Sequence, residues 1–481
     1  MAGCGGEENT EVTQSEPEFN EPFRPQYHFT PPAMWMNDPN GMVYHDGEYH
    51  LFYQHYPDST VWGPMHWGHA VSEDLVHWEH LPVAIEPDEH GWIFSGSAVF
   101  DADNTSGLAT EDNPPLVAIY TYHDPVGAEA KRDDFQTQGI AYSTDRGRNW
   151  LKYEGNPVLK NPGIRDFRDP KVSWVDDKWI MSLAVKDRIS FYSSPNLIDW
   201  THESDFNPSW AAYGGVWECP DLFPLTTAGG EEKWVLFVSI NPGGPNGGSA
   251  TQYFIGDFDG KQFHVESREV KWLDYGADNY AGVTWSNVPE EDGRRLFIGW
   301  MSNWTYANIV PTENWRSANT VPRNLELVET NGDYLVASRP VKELDMLRND
   351  THKAEGSGFS LDHELVEILL TPNQEKFKVE IGNEKGERVV LEKNGDQLVF
   401  DRSQSGITDF HEAFSKPHTA PLNGLKIKDV RIYLDRSSVE VFINDGELVM
   451  TEVIFPTEHY NRVSLSGFSA DSQVHYLNSI W

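Results

Sequence analysis

The chain has 481 residues, with 37 Lys and Arg against 75 Asp and Glu, and its formal net charge of −38 repels phosphate backbones and anionic lipid heads. Nucleic-acid binding is therefore excluded, and no uncharged apolar run reaches the ~18 residues that a membrane-spanning segment needs. Aromatic residues make up 13%, with 18 Trp, a level that suits β-structure and stacking on sugars better than a helical bundle.

The elements are taken in chain order. Residues 1–22 are acidic and lack apolar periodicity, which predicts a disordered tether. Ala2-Gly3-Cys4 is similar to the end of a bacterial lipoprotein signal. This predicts a lipid anchor at Cys4 and an exported protein of the cell envelope or periplasm, the alternative being a chance cysteine in a flexible tail. The second cysteine, Cys219, lies in a dense motif, so both are read as free thiols.

From about Tyr27 onward, short apolar and aromatic runs alternate with Gly, Pro, Asn and Asp, the pattern of successive strands and tight turns. Met42 to Tyr53 reads as strand, Asp46-Gly47 turn, strand, and Trp174 to Met181 repeats the plan. Ser72 through Trp78 matches Ser194 through Trp200, and Ser143 through Trp150 is a looser copy. Unit starts near Asn37, Ser95, Arg168, Glu218 and Ala281 lie roughly 50–75 residues apart, longer than the ~40–50 residues of common propeller repeats. The fold class expected is all-β, a five-bladed β-propeller over residues 23–338 followed by a C-terminal β-sandwich. A short helical connector spans 339–351, and alternating strands over 352–481 form the sandwich.

Three acidic elements head three of these units: Asn37-Asp38-Pro39, Arg168-Asp169-Pro170 and Glu218-Cys219-Pro220. Each alone is compatible with an Asx-turn at a strand start. Together they are three acids aimed at one axis, and paired carboxylates flanking a bond are the equipment of glycoside hydrolysis. One must stay ionised while the other holds a proton for the leaving oxygen. The histidines His45, His50, His55, His66 and His69 lack the spacing of metal ligands, so no metal is expected. The Gly243–Gly248 run lacks a following Gly-Lys-Ser/Thr and reads as a loop, so no phosphate-bearing cofactor is implied.

The blocks Trp35-Met36-Asn37-Asp38-Pro39-Asn40-Gly41, Phe167-Arg168-Asp169-Pro170 and Glu218-Cys219-Pro220, in this order, resemble the signatures of glycoside hydrolase family 32, the invertase, inulinase and levanase group. Trp67-Gly68-His69, Phe94 through Ala98, Gly299 through Trp304 and Leu434 through Phe442 extend the resemblance over about residues 24–481. It implies a retaining β-fructofuranosidase acting on fructans and sucrose without a cofactor. Asp38 would be the nucleophile, Glu218 the general acid/base and Asp169 the transition-state stabiliser. Asn37, Gln54, Trp62, Phe94, Ser95 and Arg168 would line the pocket for the terminal fructose. Exo-action with release of fructose is expected. Asn279, standing where the family has an aromatic residue, opens the alternative of a widened rim and endo-action. A fructosyltransferase and a silent fructan-binding module are the rival functions. Trp300 and Trp304 fit either core or sugar stacking. Linkage preference and oligomeric state are left open.

Overall fold

The structure, a computed structural model, describes residues 19–109, 113–330, 332–354 and 356–481. Cys4 and most of the expected tether lie outside the described residues. From Phe19 the chain is packed: its ring stacks on Trp481 at 4.1 Å, and Arg24, fully buried, pairs with Glu21.

Among the described residues, five largely antiparallel sheets and two more make up almost everything else, with a single short α-helix, Pro125–Glu129. The first strands of the five are Met34–His45, Trp92–Phe100, Phe167–Val175, Val216–Thr226 and Tyr280–Thr284. Each packs against the next and the fifth against the first, so they form the inner ring of a propeller whose blades we number I to V. The ring is also closed by hydrogen bonding. A short strand from blade V, Trp315–Arg316, pairs in parallel with Met34 and Trp35 of blade I.

The echoed sequences occupy one position in their blades, the turn from third to fourth strand. Asp74 accepts from the amides of Val76 and His77, Asn196 from those of Ile198 and Asp199, and Asp145 from those of Arg148 and Asn149. Such side chains cap a turn with no help from neighbouring strands. Leu75 and Leu197 take positive φ (67° and 64°) within it and are fully buried, plugging the turn into the blade. Asp259 makes the same two bonds in blade IV, to Lys261 and Gln262, but without the tryptophan that marks the others.

A 3-10 turn, Lys342–Leu347, leads into two six-stranded sheets. Their facing sides enclose a core that includes Val366, Ile368, Val379, Leu391, Ile432 and Val441. The first of these sheets is covered on its other face as well, where Tyr433, Phe442 and Val449 join a cluster with Tyr27, Phe29 and Leu51 of the propeller side. Ser438–Ile443 is consequently buried along its whole length.

Candidate active site

The register of the inner strands builds the site. In every blade, two residues of the first strand face one residue of the second: Asn37-Asp38 opposite Gln54, Phe94-Ser95 opposite Thr121, Asp169-Pro170 opposite Leu183, Cys219-Pro220 opposite Val238, and Ala281-Gly282 opposite Gly299. These are β-bulges, which interrupt the ladder and re-aim side chains. Pro170 and Pro220 have no N–H to give to a ladder, so the break costs little there. The residues that precede them, Asp169 (φ 62°) and Cys219 (φ 44°), sit in the left-handed region, as does Ala281 (φ 53°). Backbone strain of this kind is characteristic of functional sites. Gly41 lies in a second bulge of the blade I strand, where Gly41-Met42 face Leu51. Its φ is 56°, and a Cβ there would lie 2.5 Å from the Phe52 ring.

The bulges gather the acids at one end of the ring. Asp38 Oδ2 accepts from the Ser95 hydroxyl at 2.7 Å, and its Oδ1 accepts from Asn37 Nδ2 at 3.0 Å. Asn37 is itself held by the Trp35 indole N–H at 2.7 Å. Asp169 Oδ2 accepts from the Cys219 amide at 3.0 Å, and the Asp169 amide donates to Thr121 Oγ1 at 3.0 Å. The Cys219 thiol, at 3.5 Å from Asp38 Oδ2 and 3.6 Å from Asp169 Oδ2, lies between these two carboxylates. Arg168 donates to Glu218 Oε1 at 2.9 Å, and the Tyr280 hydroxyl donates a hydrogen bond to Oε2.

Of the remaining expected residues, Gln54 is buried and donates to Asn40 Oδ1 and the Ile93 carbonyl, bracing blades I and II from behind. Asn40 in turn donates to the backbone carbonyl of Asp38 at 2.6 Å. Trp62 stands at the rim, 37% exposed, with its ring edge-on to Phe94 at 6.0 Å. All nine residues singled out from the sequence thus lie in one connected network. Tyr280, Cys219 and Thr121 were not among them. Tyr280 is 62 residues from Glu218, and no local pattern signals the contact.

The electrostatics are unbalanced. Burial pushes the Asp38 carboxyl above its ordinary range, and the charge of Glu218 adds to this against the hydrogen bonds from Ser95 and Asn37. Asp169 is also pushed up by burial and by the charges of Glu218 and Asp38, despite Arg168 beside it. Arg168 is drawn upward by the carboxylates around it, against its own burial. Burial and the neighbouring acids hold the Cys219 thiol and the Tyr280 phenol protonated.

Two points that the sequence left open concern Asn279 and the pair Trp300 and Trp304. Asn279 is buried and donates to Asp274 Oδ2 at 3.1 Å, beneath blade V, so its small side chain opens nothing at the rim. Trp300 is fully buried under Trp35 and Trp304 and offers no sugar-stacking face, whereas Trp304 is half-buried and stacks on Trp35 at 5.9 Å.

Acids crowded around one arginine at the mouth of a bladed ring define a glycoside hydrolase. Comparison with known proteins narrows the class. The model of the glycosyl hydrolases family 32 N-terminal domain matches residues 28–339, and that of the family's C-terminal domain matches residues 340–481. The chain belongs to glycoside hydrolase family 32. It is similar to a levanase of Bacillus subtilis (48% identity over 96% of this chain and 72% of the levanase) and to an extracellular exo-inulinase of Aspergillus niger (38% identity, 96% of each). The crystal structure of the Aspergillus awamori exo-inulinase superposes with a TM-score of 0.88 at 35% identity, covering 96% of this chain and all of that one.

Proposed function

We propose that the chain hydrolyses β-fructofuranosyl linkages of fructans and sucrose with retention of configuration. The observation that supports this is the meeting of three carboxyl groups at one mouth: both oxygens of Asp38 are fixed by Ser95 and Asn37, the Cys219 thiol lies between Asp38 and Asp169, and Arg168 joins Asp169 to Glu218. Asp38 attacks the anomeric carbon of the terminal fructose. Ser95 and Asn37 fix its two oxygens for that approach. Glu218 gives a proton to the leaving oxygen, then takes one from the water that releases fructose from Asp38. Asp169 accepts from fructose hydroxyls as positive charge develops on the ring.

Exo-action accompanies this reading. What supports it is that Phe94, next to Ser95, which is bonded to Asp38, meets Trp62 edge-on at 6.0 Å, and that Asn279, the one substitution that argued for a widened rim, is buried. The names of the levanase and exo-inulinase relatives support fructan as substrate. Incubation with sucrose, inulin and levan tests it: equal fructose and glucose from sucrose, and free fructose as the first product from the polymers, are expected. Excess glucose with longer oligosaccharides indicates a transferase, early oligosaccharide ladders an endo-acting enzyme, and no products a binding module.

Export is supported by the extracellular name of the inulinase relatives and by the Ala2-Gly3-Cys4 sequence. No helix among the described residues is long and apolar enough to cross a membrane. With lipid on Cys4, Cys4→Ala moves the protein from the membrane to the soluble fraction in cells that carry out the modification.

A further inference from the structure

The aromatic surface does not end at the wall of the pocket. Along the first strand of blade II, Trp92, Phe94 and Gly96 are part-exposed in alternation with buried Ile93, Ser95 and Ser97, so Trp92 shares the face of Phe94. At about 3.3 Å per residue, it stands roughly 10 Å up the strand from Ser95, whose hydroxyl is bonded to Asp38. The Trp92 ring is stacked on His123 at 5.5 Å, and His123 is stacked on Phe94 at 4.2 Å. Trp62 meets Trp92 edge-on at 5.6 Å. On the other side of Trp62, its amide donates to Asn308 Oδ1, and Ile309, the next residue, is 48% exposed.

An apolar strip of this kind, on the mouth of the site in a chain of net charge −38, calls for a ligand without charge. Indole rings suit the C–H faces of sugars, and they are rigid, so little conformational freedom is lost when they are covered. We propose that Trp62 and Trp92 form a second sugar platform above Asp38, which takes the units of a fructan chain that follow the terminal fructose. The platform makes the enzyme prefer polymeric fructans over sucrose. It rests on the fructosidase reading given above and adds Trp92 as a specificity-determining residue.

The test uses initial rates on sucrose and on fructans of three and four units. In the unmodified protein, kcat/KM should rise with chain length. In Trp92→Ala, the ratio of kcat/KM on the tetrasaccharide to that on sucrose should fall about three- to tenfold, the worth of one aromatic stack, and Trp92→Phe should recover part of it. If Trp92 only braces His123 and Phe94, both substrates lose rate in step and the ratio stays constant, which overturns the platform. A kcat/KM that is flat with chain length in the unmodified protein overturns it without any variant. An unmodified protein that is inactive on every fructoside fails the fructosidase reading itself, a distinct result.

Discussion

Two of the regions in which this molecule buries charge are built on opposite plans. Where the propeller meets the sandwich, each buried carboxylate touches a basic side chain. His28 lies between Asp435 (2.7 Å) and Glu440 (2.8 Å), and Arg323 joins Glu440 to Asp274. Arg402 joins Asp278 to Glu452, which also meets His418 at 2.8 Å. At the mouth of the ring, Asp169 and Glu218 share Arg168 with Asp166, and among the described residues Asp38 has no cation within ion-pair distance. Burying charge without compensation is costly, so the first plan ties domains together, and the second is a cost that chemistry explains.

The contrast breaks most visibly in rates. Asp38→Asn should reduce turnover to background, because it removes the group proposed to attack the sugar. Glu218→Gln should lower turnover by about 10²–10⁴, with a smaller loss on fructosides whose leaving group needs no proton. Asp169→Asn should slow all substrates without that dependence. Steady-state kinetics on sucrose and on an aryl fructoside separate the two; a common response to leaving group contradicts the assignment.

At the domain junction the effect should appear in stability instead. Arg402→Met leaves Asp278 and Glu452 buried beside no arginine and should cost about 3–5 kcal/mol in denaturant unfolding. A loss near zero would mean that the junction is not held by this pair. The smallest change expected is a pH effect. His28 is fully buried, which opposes its charge, yet its hydrogen bonds to Asp435 and Glu440 raise its pKa from 6.5 to about 9. Its contribution is therefore complete below pH 6.5 and lost as pH rises through about 9. His28→Gln should flatten the stability profile between these values.

Much of the mouth is legible in the sequence because its acids announce themselves locally. Asp169 and Cys219 each precede a proline that cannot continue a ladder, a mark carried by two adjacent residues. Three of the five blade starts carry the same signal, and the outer turns follow from their Ser-x-Asp or Ser-x-Asn caps. The blade IV copy at Asp259 escapes because it lacks the closing tryptophan. The junction is illegible for a physical reason: its partners are brought together by the tertiary fold, Arg323 and Glu440 from 117 residues apart and His28 and Glu440 from 412. The ring-closing strand Trp315–Arg316 is hidden in the same way, being two residues long. Asn279 misleads because sequence shows a small polar residue beside a motif but not which way it faces.

The anomeric form of the first fructose released tests the central claim, that Asp38 attacks the sugar and Glu218 assists. Proton NMR of the first minutes of sucrose hydrolysis should show the β-anomer ahead of mutarotation, because a covalent fructosyl-Asp38 is displaced in turn by water from the opposite side. The α-anomer appearing first would contradict the account and remove Asp38 as nucleophile.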